Sequence, residues 1–429
     1  MGSALSFHVT GWAWIVISAL LGLAGFIGIV RGSPLPAELR LVHVHGTLVG
    51  GVLQILIGLY LASAEQLQPP TKRAGRLLGF FGYNVAASGL VLGSALRNGD
   101  LMIAAGVVLV VVMLPSARQA FRTFRTWPGW TSLYAFLFAL AFLALSASVI
   151  LGILLAGRWL PLWHGMLRLA HLHSGLLIGL VLIGVASIQL GLPYSLHRPL
   201  KSPGLGQAAL LLLPACLAGL LTGFLLASVP IQLTAGTGLF IVLCLYAANL
   251  LRTWSAAGQP GSAATDHLLT ALFFLLLTAL IGLAVGYNVL SSVPIMPYGT
   301  LHLIAYTHQA FIGFLLHAIV GGLALTLPSM LARHRVPSHK KRPAYQAELD
   351  SIMNRWHTIQ IATLSFGSLG LALVASLTWS LPLGSPGIQA ASWSSFALLL
   401  TGVTLVTIKL TQVIATRPAS DRSSHEHKV

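Results

Sequence analysis

Long apolar runs follow one another along this chain, and that succession decides most of what it can fold into. Its 429 residues are 56% apolar and 7% charged, with a mean hydropathy of +0.86. A soluble domain would carry roughly 25% charged residues. The runs reach about 20 residues, enough to cross a ~30 Å hydrocarbon core as a helix. Only helices or closed barrels satisfy their backbone in lipid, and these runs lack the alternation of a barrel strand. The expectation is an all-α membrane protein with about twelve transmembrane helices. The first six lie near Thr10–Val30, Leu39–Leu61, Ala74–Leu96, Gly99–Ser116, Ser132–Ala156 and Trp163–Leu192. The remaining six lie near Gly206–Ser228, Ile231–Leu251, His267–Tyr287, Gly299–Leu327, His357–Leu381 and Ser392–Ile414. The fourth is short, and Pro230 makes the turn between the seventh and eighth tight.

The formal net charge of +16 is no nucleic-acid signal, because the basic residues follow the loops. Lys72, Arg73 and Arg76, then Arg118, Arg122 and Arg125, then Arg198 and Lys201 follow spans two, four and six. Arg252, then Arg333, Arg335, Lys340, Lys341 and Arg342, then Arg417, Arg422 and Lys428 follow spans eight, ten and twelve. The other side holds Arg31, Arg40, Arg97, Arg158 and Arg168. By the positive-inside rule both termini are cytoplasmic, in a cell's inner membrane. Residues 1–429 read as a single polytopic domain, with 417–429 as a polar cytoplasmic tail. The first run is too long for a signal-peptide core and reads as a retained span. Cys216 and Cys244 lie inside spans seven and eight with no CxxC motif, and read as buried small hydrophobes.

Histidines open three of the runs: RLVHVHG around His43 and His45, RLAHLHS around His171 and His173, and IAYTHQA around His308. The first two copies share Arg40/Arg168 and lie 128 residues apart; the third has Tyr306 at the first histidine position. A proline follows the second histidine by 20 residues in two copies, at Pro193 and Pro328, each ahead of an arginine at Arg198 or Arg333. The motifs fall on spans two, six and ten. This implies three four-helix repeats, approximately 1–130, 131–255 and 256–416, in a pseudo-threefold arrangement. All three place imidazoles about 9–15 Å along helices that run in the same direction. Ionisable groups in hydrocarbon are costly, so each is a functional hypothesis. Two residues along a helix turn the side chain by roughly 200°, so each H-x-H serves opposite faces.

These features resemble subunit I of the haem-copper oxidase superfamily, which includes nitric oxide reductases, and its haem-binding relatives of the NnrS type. The resemblance covers the whole hydrophobic body. It implies a low-spin, b-type haem held by His45 and His308. It leaves open a second haem or another metal near His171, His173 and Tyr306, with His43 a further candidate for binding a cofactor. His164, His302 and His317 read as neighbours of such a site or as packing. Arg40 and Arg168 read as interfacial anchors or as partners of haem propionates.

The departures from that family are specific. Spans seven and eight contain no histidine, so a copper site of the usual composition cannot be assembled. The acidic residues Glu38, Glu65, Asp100, Asp266, Glu348, Asp350, Asp421 and Glu426 all fall at span edges or in loops, which argues against proton pumping. The resemblance implies an oxidoreductase-like haem protein in respiratory electron transfer or in oxygen or nitric-oxide chemistry. A cytochrome or quinol donor, other respiratory subunits and the lipid bilayer would be its partners. Two alternatives remain: a non-catalytic haem protein of nitric-oxide response, and a histidine-lined transporter without haem.

Overall fold

Apolar runs in lipid have no water to bond, so each closes its backbone hydrogen bonds within itself. The computed structural model describes residues 3–31, 33, 36–67, 73–126, 130–290, 306–378 and 380–418. Among them it is all helix, with twelve helices long and apolar enough to span a membrane. Span one is Ser3–Val30, and span two runs through Ala37–His45, Gly46–Leu53 and Gln54–Leu67. Spans three, four and five are Arg73–Ala95, Gly99–Thr126 and Trp130–Ala156. Span six joins His164–Leu172, His173–Leu180 and Val181–Ser195; seven, eight and nine are Pro203–Leu225, Val229–Ala256 and Ala263–Leu290. Span ten is described from Tyr306 through Gln309–Leu316 and His317–Arg335. Eleven and twelve are His357–Leu377 and Pro386–Ala415.

In an apolar 18-residue stretch of each of spans two, six and ten, two thirds or more of the residues are buried, against less than half in the matching stretch of every other span. The histidine-bearing helices are therefore the inner ones. Span ten touches both others: Gly322 lies against Leu59 of span two, and Gly184 of span six against Phe314. Around them, span one packs on two and three, five on six and seven, and nine on ten and eleven. Span one also meets span twelve, where Trp12 Nε1 donates to Thr407 Oγ1 at 2.9 Å and Phe26 lies 4.1 Å from Phe396.

The structure departs from the sequence reading at three places. The fourth span is not short: the helix continues to Thr126, because Arg118, Arg122 and Arg125 carry it out of the apolar zone without a break. The basic segment between spans ten and eleven holds a helix, Arg342–Asn354, whose Tyr345, Leu349 and Met353 form a buried stripe. Glu348 and Asp350 lie on it rather than in a loop. Arg335 ties this helix to span twelve, donating to Tyr345 Oη, the Thr416 carbonyl and the Ile414 carbonyl. Finally, Cys216 and Cys244 are half-buried rather than buried.

Several turns use a left-handed residue that is not glycine: Arg97, Arg158, His197, Ala227, Gln259 and Trp356. A Cβ in that region is strained by about 1 kcal/mol or more. Ala227→Gly should therefore raise stability by about 1 kcal/mol, read as a higher melting temperature in detergent. An unchanged or lower melting temperature would count against strain at this turn.

Candidate functional site

Each inner helix widens into a π-helical stretch at its second histidine position. The stretches are Gly46–Leu53 after His45, His173–Leu180, and Gln309–Leu316 after His308. Such widened turns are rare and concentrate where a helix must re-aim its side chains. Tyr83 of span three donates to the Val49 carbonyl inside the first of them at 2.5 Å.

The first position of each motif faces the preceding helix. His43 Nδ1 lies 2.8 Å from the Ser18 carbonyl, with its ring over Gly22. His171 Nδ1 lies 2.7 Å from the Ser148 carbonyl, with its ring over Gly152. Tyr306 packs over Gly282. A Cβ on Gly22 or Gly152 would stand 3.0 Å or less from an imidazole carbon, so a glycine is needed at both positions. These glycines end three matching segments, Ser18-Ala-Leu-Leu-Gly22, Ser148-Val-Ile-Leu-Gly152 and Thr278-Ala-Leu-Ile-Gly282, which begin 130 residues apart. Sequence reasoning missed them because it followed ionisable residues. The common spacing of a hydroxyl and a glycine four apart was the available signal.

The second position faces the following helix. His45 Nδ1 lies 3.0 Å from Ser94 Oγ of span three. His173 Nδ1 bonds the Leu169 carbonyl at 2.8 Å, and its ring stacks on Phe224 of span seven at 3.8 Å. Beside His308, Gln309 Nε2 donates to the Ser368 carbonyl of span eleven at 2.7 Å. The opposed directions expected of H-x-H are thus realised at the first two motifs. His45 and His171 are close enough to interact electrostatically.

The chemistry follows from the acceptors. A carbonyl oxygen only accepts, so Nδ1 of His43, His171 and His173 must carry the proton. Ser94 Oγ spends its own hydrogen on the Leu90 carbonyl, which leaves it an acceptor for His45. The lone pair of each ring is then on Nε2, which makes no hydrogen bond among the described residues. An imidazole fixed through Nδ1–H with Nε2 open is the form that binds a metal ion. Among the described residues no three His, Cys, Asp or Glu side chains gather into a metal-holding group. Two such imidazoles on separate helices would be enough to hold a metal ion or a metal-bearing cofactor. Arg40 and Arg168 are exposed at the ends of spans two and six and make no ion pair among the described residues.

His164 is exposed, and His302 lies outside the described residues. His317 is fully buried, and its hydrogen bonds go to His267 and Ser365, away from the His308 level. Sequence reasoning also passed over His8, buried against Gly58 with neither ring nitrogen hydrogen-bonded among the described residues. Compared with known protein families and with characterised proteins, the chain matches none.

Proposed function

We propose that the chain is a haem-binding protein of the inner membrane, built as three four-helix repeats on the plan of haem-copper oxidase subunit I. Its role would be respiratory electron transfer or redox chemistry on oxygen or nitric oxide. The observation carrying this reading is the set of four inner-helix imidazoles held through Nδ1 with Nε2 open. The recurring serine or threonine and glycine supports the repeat, and the alternating basic loops support cytoplasmic termini. These residues suit a haem: His45 and His308 would hold the iron, while Arg40 and Arg168 would meet its carboxylates. When bound, a low-spin haem supplies reversible one-electron exchange.

The chain's own residues do the rest. Ser94, its own hydrogen given to the Leu90 carbonyl, holds His45 in one tautomer and one orientation. The apolar packing of spans two, six and ten excludes water, which strengthens every fixed dipole around the site. His171 and His173 would serve a second haem or metal with Tyr306. The absence of histidine from spans seven and eight favours a second reading, a non-catalytic haem protein of nitric-oxide response.

Purified protein should show a Soret band and a pyridine haemochrome at about one haem per chain or more. A carbon-monoxide difference spectrum separates the two readings, because gas chemistry needs an open iron position. Colourless protein after expression with haem supplied would sink both.

A further inference from the structure

A second cluster of imidazoles lies apart from the first. His267 of span nine and His317 of span ten are both fully buried, with their Nδ1 atoms 2.8 Å apart. On the far side of His267, Gln360 Nε2 stands 3.0 Å from Nε2; on the far side of His317, Ser365 Oγ stands 3.4 Å from Nε2. The result is a line from span eleven through nine and ten and back to eleven. Two nitrogens 2.8 Å apart require a proton on one and a lone pair on the other. With the Gln360 amide donating, every link points the same way: Gln360 to His267, His267 to His317, His317 to Ser365. Turning that amide presents Oε1, which has no hydrogen-bond partner among the described residues, and reverses every link without moving a ring.

One end of the line approaches the face that carries the basic loops. There His357 Nε2 pairs with Asp266 at 2.9 Å, both partly exposed, one turn before Gln360 on span eleven. The charged and titratable groups around His267 are His317, His357 and Lys409 of span twelve. Lys409 is 2% exposed and donates to the Met353 carbonyl at 3.0 Å. The other end leads inward. Ser368, one turn beyond Ser365, has a buried hydroxyl with no hydrogen-bond partner among the described residues, and its carbonyl binds Gln309 beside His308. From His317 to His308 is nine residues, or about 13 Å along the helix.

We propose that His267 and His317 form a proton relay from the basic face into the bundle interior, with Asp266 and His357 at its mouth and Gln360 as its gate. As the Gln360 amide turns and frees His267 Nε2, a proton from the mouth binds there, its new N–H facing Oε1, while the Nδ1 proton passes to His317 Nδ1. The Nε2 proton of His317 then leaves for Ser365 and Ser368. One proton enters and one is delivered; no electron moves. The sequence reading judged proton supply by carboxylates, and the line is built instead from neutral imidazoles. It requires no cofactor and stands whether or not the chain binds haem.

The test is nitrogen NMR of the ¹⁵N-histidine-labelled full chain in lipid nanodiscs, with the pair assigned by loss of signals in His267→Phe and His317→Phe. A relay gives exchange between the Nδ1 and Nε2 signals of both rings, slower in D₂O. Asp266→Asn, an isosteric change at the mouth, should slow that exchange by about tenfold or more with the helical circular dichroism unchanged. Two fixed tautomers, or an exchange rate indifferent to Asp266→Asn and D₂O, would overturn the proposal.

Discussion

Alanine at His45 or at His308 should remove the low-spin haem signal from the purified protein. If the two are axial ligands of one iron, either change leaves five-coordinate iron or none. Haem content should fall to roughly a tenth or less, because a ligand matters more than a supporting residue worth 10–100-fold in affinity. Ser94→Ala supplies the graded control. It removes the hydrogen bond from His45 Nδ1 and leaves the imidazole itself, so haem affinity should drop by about tenfold with the low-spin spectrum retained. Visible spectra of the three variants, prepared side by side, decide the matter. A full low-spin signal in His45→Ala or His308→Ala would refute that ligand pair. His43 and His171, whose Nε2 atoms make no hydrogen bond among the described residues, would then be next in line.

The second large effect concerns packing. Phe314 is 1% exposed in the π-helical stretch of span ten, and its ring tip lies where a Cβ on Gly184 of span six would stand at 2.6 Å. Next to it, Gly313 admits the ring of Phe274 from span nine, and that ring lies parallel to His317 with 5.9 Å between centroids. Phe314→Ala empties the point where three helices meet. In lipid the transfer term is small, because acyl chains are as apolar as a phenyl ring, so the loss is mainly of packing contacts. The expected cost is about 3 kcal/mol, read as a lower melting temperature. Phe366→Ala on span eleven, at 63% exposure, should stay within about 0.5 kcal/mol. Equal effects at the two sites would mean that burial is not what Phe314 contributes.

Much of the architecture was legible in the sequence because one physical requirement dominates it. A helix that crosses hydrocarbon needs an unbroken apolar run, and such runs are visible without partners. Twelve were expected and twelve are described. The helix at Arg342–Asn354 escaped because its stripe of Tyr345, Leu349 and Met353 is interleaved with charges. The π-helical stretches escaped for a different reason. Their sequences, GTLVGGVL, HSGLLIGL and QAFIGFLL, share no composition that ordinary helices lack. The site was half legible. The H-x-H spacing gave the opposed directions of His43 and His45, but not that Ser18 and Ser94 receive them. His267 and His317 are 50 positions apart and carry no motif, so only their meeting in space relates them.

The contact between spans one and twelve has a consequence for how the chain could be cut and rejoined. Trp12 on Thr407 and Phe26 on Phe396 close the helices into a ring with no open side at that seam. A circularly permuted gene could join the chain across the seam and open it at the turn of Gly258 and Gln259, between spans eight and nine. Every helix would keep its present neighbours, and only the order of their synthesis would change.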